Sequence, residues 1–210
     1  MNNREVSIAN HLLQIKAIKL QPTSPFTWAS GWKSPIYCDN RKTLSFPKVR
    51  DYIKEQFAEI VREKYADADV IAGVATGAIA VGALVADLLN KPFIYIRSAP
   101  KGHGLENMIE GVLEEGQKVV IIEDLISTGG SSLKAVEAVR ERGGVVMGML
   151  AIFSYGFQTA EDNFKTAGVD VETLSNYNTL LQVALDNGIV SHDDLQALGE
   201  WRKDPANWKR

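Results

Sequence analysis

The sequence predicts an α/β fold: a mostly parallel twisted sheet flanked by helices, with a small N-terminal lobe set over it. Three observations lead there. Between residues 70 and 153, short β-branched runs alternate with helical patterns, the order expected when helices cover a parallel sheet. The runs VIAG (70–73), FIYIR (93–97), VVII (119–122) and VVMGMLAIF (145–153) are almost unbroken by polar residues, as suits strands buried on both faces. Before about Pro47 the texture changes to PTSPFTWASGWKSPIYCDN. Its Pro, Ser, Gly and aromatic residues suit an irregular or hairpin-like lobe.

The elements follow in order. Ile8, Leu12 and Ile15 share one face of an amphipathic N-terminal helix, with His11 beside it in a structural role. That helix breaks its apolar residues with charges and so lacks a signal-peptide core. A second helix covers residues 50–64, with Ile53, Phe57, Ile60 and Val61 inward. Residues 70–86 carry no charge, but they fall short of the ~18 apolar residues a membrane span needs. Gly73, Gly77 and Gly82 divide them into strand, tight turn and buried helix. A helix over 131–142 turns Leu133, Val136 and Val139 inward and stops at Gly143-Gly144. A fifth strand is expected at 169–174. Two short helices end the chain, the second opened by a Ser191/Asp194 capping box. The expectation is one domain, with the lobe over residues 1–47, the core sheet over about 65–175 and C-terminal helices over 176–210.

The 210 residues are 45% hydrophobic and 23% charged with net charge −3, enough for a core without disulfides or structural metal. One cysteine, Cys38, cannot form an internal disulfide, and it points to a reducing, cytoplasmic setting. The acidic balance and the lack of a long Lys/Arg run argue against nucleic acid as a partner.

Ligands of open α/β sheets bind at the carboxyl ends of strands. There the segment KVVIIEDLISTGGSS (118–132) places Glu123 and Asp124 after a buried strand, then a Ser/Thr/Gly loop entering a helix. Small residues at a helix N-terminus let backbone N–H groups converge on a phosphate, and the hydroxyls of Ser127, Thr128 and Ser131 can donate to it. The carboxylates can accept from sugar hydroxyls or from water on magnesium. A sugar phosphate satisfies both halves; a plain capped helix beside two exposed acids is the alternative. A second loop, RSAPKGHGLENMIEG (97–111), gathers Arg97, Lys101 and His103 among glycines. It suits a cationic cover for pyrophosphate or a solvated charged loop. The small-residue turn GVATG (73–77) offers either close approach to an anion or tight strand–helix packing. No P-loop and no complete dinucleotide fingerprint is present.

IIEDLISTGGSS resembles the phosphoribosyl-pyrophosphate (PRPP) signature of type I phosphoribosyltransferases. FTWASGWKSPIYCDNR and RSAPKGHG, in order and spacing, are similar to the orotate-using members, and the resemblance covers most of the chain. It implies the type I phosphoribosyltransferase fold and transfer of ribose 5-phosphate from PRPP to orotate, giving orotidine 5′-phosphate and pyrophosphate in pyrimidine synthesis. It implies that Glu123 and Asp124 hold the ribose hydroxyls, Asp124 also stabilising an oxocarbenium-like transition state. Leu125, Ile126, Ser127, Thr128, Gly129, Gly130 and Ser131 would hold the 5′-phosphate. Arg97, Lys101 and His103 would meet the pyrophosphate, Lys101 and His103 reaching a neighbouring subunit's site and also serving the chemistry. The backbone at Tyr37 and Cys38, with the Ser127 hydroxyl, would recognise orotate. The resemblance further implies Mg2+, no direct protein ligand to it assigned, and a cytoplasmic homodimer with shared sites. Ser98, Ala29 and Tyr155 stand where many members carry Lys, Lys and Arg. A purine or xanthine phosphoribosyltransferase and a non-catalytic PRPP-sensing regulator are the competing readings.

Overall fold

The computed structural model describes residues 3–28, 31–99 and 108–208. Helix α1 (Asn3–Gln14) buries Ile8, Ala9, Leu12 and Leu13 and lies against the far edge of the sheet and a late helix. Four short strands follow. β1 (Ile18–Leu20) pairs antiparallel with β4 (Ile36–Cys38), and β2 (Phe26–Thr27) with β3 (Lys33–Ser34). Buried Ser34 fastens the corner, its Oγ donating to the Ile36 carbonyl at 2.8 Å. A 3-10 helix (Asn40–Ser45) then leads into α2 (Pro47–Lys64), opened by Pro47, a residue suited to the first helical turn, where an N–H would be unpaired anyway.

The core alternates strand and helix: β5 (Val70–Val74), α3 (Ile79–Leu89), β6 (Phe93–Ile96), β7 (Ile109–Glu110), β8 (Lys118–Ile126), α4 (Gly130–Glu141), β9 (Val145–Ser154), α5 (Gln158–Ala167), β10 (Val171–Asn176), α6 (Tyr177–Asp186) and α7 (His192–Lys203). The sheet order is β10-β9-β8-β5-β6-β7. All neighbours are parallel except the β6–β7 edge pair. Alternate residues serve two cores. Ile71, Val120, Ile122, Leu150 and Ile152 pack towards α1, α2, α3, α6 and α7, while Val70, Ala72, Val119, Ile121 and Met149 pack towards α4 and α5. Covering both faces removes the polar alternation that a half-exposed strand would show.

One sequence expectation shifts. β8 does not stop at Ile122: it runs to Ile126, because β9 continues beside it and pairs with Glu123, Leu125 and Ile126. The acids therefore stand within a strand, held more rigidly than a loop would hold them. In the N-terminal region α1 packs on α6 and β10. An aromatic cluster binds that lobe down. Fully buried Trp201 of α7 lies 5.6 Å from Trp28, 5.7 Å from Tyr155 and 5.6 Å from Tyr177, ring centre to ring centre. Trp28 also faces Tyr155 at 5.4 Å and donates its indole N–H to the Ile36 carbonyl at 3.1 Å. Among the described residues no helix is long and apolar enough to cross a membrane.

Candidate active site

From β5 the chain steps to β6 on one side, and from β8 it steps to β9 and β10 on the other. The crevice between the carboxyl ends of β5 and β8 is thus the topological switch point, where open α/β sheets bind ligands. The acid pair stands there. Glu123 is buried, its Oε1 accepting from the Asp124 backbone N–H at 3.0 Å and its Oε2 from Ser132 Oγ at 2.9 Å. Asp124 lies over Gly77, in the turn after β5, and a Cβ added to Gly77 would collide with both carboxylate oxygens. The GVATG turn, ambiguous in sequence, is therefore the floor beneath the acid. Its Ala75–Thr76 peptide is cis.

Burial, then the charge of Asp124, raises Glu123 to about 8; burial also raises Asp124, partly offset by hydrogen bonds and by Arg41. The pair therefore retains a proton at neutral pH. This sets a pH dependence of stability. A carboxyl raised from 4.5 to about 8 on folding binds a proton in the native state that the unfolded chain has released, so stability is full below the lower value and falls as pH climbs through that window. At about 1.4 kcal/mol per unit the loss is on the order of a few kcal/mol. Glu123→Gln keeps the shape and one accepting oxygen, its NH2 donating to a turned Ser132 hydroxyl, but not the titration. Urea midpoints at pH 5 and 8 should drop more for wild type than for Glu123→Gln; parallel drops would refute the assignment.

The expected phosphate loop follows. Leu125 and Ile126 are strand residues paired with Phe153 and Ser154 of β9, and Ile126 is buried in the core. The Ile126 carbonyl is occupied by the Tyr155 N–H at 3.1 Å. Gly129 precedes α4 at φ +81, and a Cβ there would press on Phe164, so glycine is required both by conformation and by space. Asn163 of α5 braces the loop by donating to the Thr128 carbonyl at 3.2 Å. With Gly130 and Ser131 in its first turn, α4 presents its unpaired N–H groups and positive dipole end beside the acids.

Arg97 follows β6, one strand from β5; its N–H donates to the Met108 carbonyl at 2.8 Å and its guanidinium pairs with Glu110 at 3.4 Å. Lys101 and His103 lie outside the described residues, as does Ala29. On β4, Tyr37 is exposed beside Phe26, 5.6 Å between ring centres, and half-buried Cys38 donates to Asn40 Oδ1 at 3.3 Å. Burial, reinforced by the charges of Asp124 and Asp39, pushes the Cys38 thiol well up. Burial does the same for the Tyr155 phenol, with Cys38, Tyr37 and Asp124 adding to it. Asn40 joins the strand β4 end to the acid pair, accepting from Cys38 and donating to the Asp124 carbonyl. The structure brings Tyr37, Cys38, Glu123, Asp124 and the 127–131 loop together.

Sequence reasoning passed over three residues: Ser132, which holds Glu123; Asn163, which steadies Thr128; and buried Asn40, whose Nδ2 donates to the Asp124 carbonyl at 2.6 Å. Ser132 adjoins the singled-out loop and Asn40 the SPIYC segment, so polarity next to a motif was the available signal. A cleft of ≈ 450 Å3 between α5 and β10 holds Glu161, Lys165 and Asp170 but neither acid of the pair. Perturbed carboxyls beside a helix N-terminus outweigh its size.

The phosphoribosyl transferase domain family matches residues 44–187, and the chain belongs to that family. Within it the likeness narrows to the orotate phosphoribosyltransferases. The chain is 61% identical over 209 residues to the orotate phosphoribosyltransferase of Bacteroides fragilis, covering 100% of this chain and 99% of that protein. It is 55% identical over 208 residues to that of Cytophaga hutchinsonii, covering 99% and 100%. The crystal structure of orotate phosphoribosyltransferase from Aeropyrum pernix superposes with a TM-score of 0.76 at 28% identity, covering 88% of this chain and 99% of that one.

Proposed function

We propose that this chain is one phosphoribosyltransferase domain that transfers the 5-phosphoribosyl group of PRPP to orotate, releasing pyrophosphate and forming orotidine 5′-phosphate in pyrimidine synthesis. The observation that carries the reading is the acid pair at the switch point, followed directly by a glycine-rich loop at the N-terminus of α4. In the reaction the bond from C1′ to the pyrophosphate oxygen breaks and a bond from C1′ to a ring nitrogen of orotate forms. Positive charge develops on the ribose meanwhile. Asp124, fixed over Gly77, faces that charge and accepts from a ribose hydroxyl, while Glu123, its oxygens engaged by the Asp124 N–H and Ser132, holds the Asp124 main chain in place. The backbone from Leu125 and Ile126 through Ser127, Thr128, Gly129, Gly130 and Ser131 holds the 5′-phosphate. Arg97, Lys101 and His103 neutralise the pyrophosphate, Lys101 and His103 also serving proton transfer to the leaving oxygen. Backbone donors at Tyr37 and Cys38, with the Ser127 hydroxyl, receive orotate.

Magnesium would supply charge neutralisation for the departing pyrophosphate, with Asp124 the residue placed to meet it or its water. Its fit follows from the donors: both Glu123 oxygens are engaged within the protein, and no cluster of three or more His, Cys, Asp or Glu is built for a metal among the described residues. Substrate oxygens and water would supply most of the coordination, with Asp124 the carboxylate nearest to hand.

A homodimer with shared sites is supported by α3. Its Ala80, Leu84 and Leu88 form a stripe at i, i+4, i+8 left partly open, Leu88 being 37% exposed. The lone unpaired cysteine supports a reducing, cytoplasmic setting.

The test is loss of orotate absorbance with PRPP and magnesium, with adenine, hypoxanthine, xanthine and uracil run in parallel. Turnover of orotate alone is expected. Turnover of another base instead would retain the ribose-phosphate site and overturn the orotate assignment, and PRPP binding without any turnover would favour a sensor.

A further inference from the structure

We infer that Asn40 is a positioning residue: through one buried hydrogen bond it sets the base-holding strand β4 against the ribose-holding Asp124. The inference rests on the reading above, in which β4 receives the base and Asp124 the sugar. Asn40 is 1% exposed. A primary amide buried to that degree costs free energy unless its polar atoms are paired, and here both ends are. Its Nδ2 donates to the main-chain carbonyl of Asp124 at 2.6 Å, and its Oδ1 accepts from Cys38 Sγ at 3.3 Å. Its own carbonyl accepts from buried Thr43 Oγ1 at 2.6 Å. One side chain therefore touches both halves of the site, across 84 residues of sequence.

The chemistry explains why an amide stands there. One end must donate to a carbonyl and the other must accept from a thiol that burial keeps protonated. A carboxylate lacks the donor and an aliphatic side chain lacks both. The forming C1′–N bond lies between the two groups that Asn40 joins, so a change at Asn40 alters their separation without removing a contact to either substrate. A misplacement of ~1 Å costs about 10²-fold in rate. The loss should therefore fall on kcat rather than on either KM.

The test compares Asn40→Asp with Thr43→Val, which removes the neighbouring hydrogen bond but leaves the link to Asp124. Wild type and both variants are assayed from pH 5.5 to 8.5 with whichever base the wild type turns over, and Tm is measured alongside. At pH 8 Asn40→Asp should lose about 10- to 100-fold in kcat, with both KM values within about threefold of wild type. Part of that loss should be regained relative to wild type at low pH, where the new carboxyl is protonated and donates again. Thr43→Val should lower Tm while holding kcat within about threefold. Should Asn40→Asp not fold, Asn40→Ala takes its place, with the same kcat loss and no recovery at low pH. Wild-type kcat in the Asn40 variant, or kcat losses in both variants that track their Tm losses, would overturn the inference and leave the function standing. A wild type that turns over no base would overturn both.

Discussion

Asp124→Asn should lower kcat/KM by about 10²–10³-fold, the range seen when one preorganised group aimed at developing charge is removed. The substitution is isosteric, and the main-chain bonds that hold residue 124 do not depend on the side chain: its N–H still meets Glu123, and its carbonyl still meets Asn40. What disappears is the negative charge that the proposed reaction sets against the ribose, and an NH2 replaces an oxygen that the proposal has accept from a sugar hydroxyl. Affinity for PRPP should weaken along with turnover. Stability should not. Burial already raises Asp124, and the Asp124 charge in turn raises Glu123, so a neutral amide removes both penalties and Tm at pH 8 should hold or rise. Steady-state kinetics paired with thermal melts check this, and a variant within threefold of wild type would remove Asp124 from the chemistry.

The acid pair also shows what local sequence can reveal. A buried run, two carboxylates, a Ser/Thr/Gly loop and an amphipathic helix are contiguous, and each leaves its own mark on the spacing of apolar and small residues. The parallel sheet was legible for the same reason, through strands whose two buried faces erase alternation. The end of β8 was not legible, because whether a strand continues past two acids depends on β9 pairing alongside, and that pairing is set by another part of the chain. Asn40 on the Asp124 carbonyl and Trp28 on Tyr155 and Trp201 belong to the same class. They join segments far apart in sequence, and nothing in either segment alone names its partner. The Trp28–Tyr155 contact also changes the meaning of Tyr155. Read alone, it is a missing arginine; in the fold it is part of an aromatic wall that links the lobe to β9 and α7, so the position is filled by packing.

Gly77 shows how close approach makes a silent position decisive. Its φ is not in the left-handed region, so the backbone itself would accept alanine; the obstacle is Asp124, whose carboxylate occupies the place of the added methyl. Retreat is blocked on the strand side, where Glu123 and Leu125 pair with Ala151 and Phe153, and on the lobe side, where Asn40 holds the carbonyl. The side chain must then swing off its position. Gly77→Ala should cost about 10²-fold in kcat, the scale of a displacement near 1 Å, with about 1–3 kcal/mol of stability lost to overpacking. Gly199→Ala is the matched control: it lies within α7 with open space around the new methyl, so activity should be unchanged and stability should rise by up to ~1 kcal/mol. Kinetics and urea unfolding of the two variants separate the effects. A folded Gly77→Ala protein with wild-type kcat would mean that the reaction does not use this position of the Asp124 carboxylate, because movement on substrate binding would then be setting the geometry.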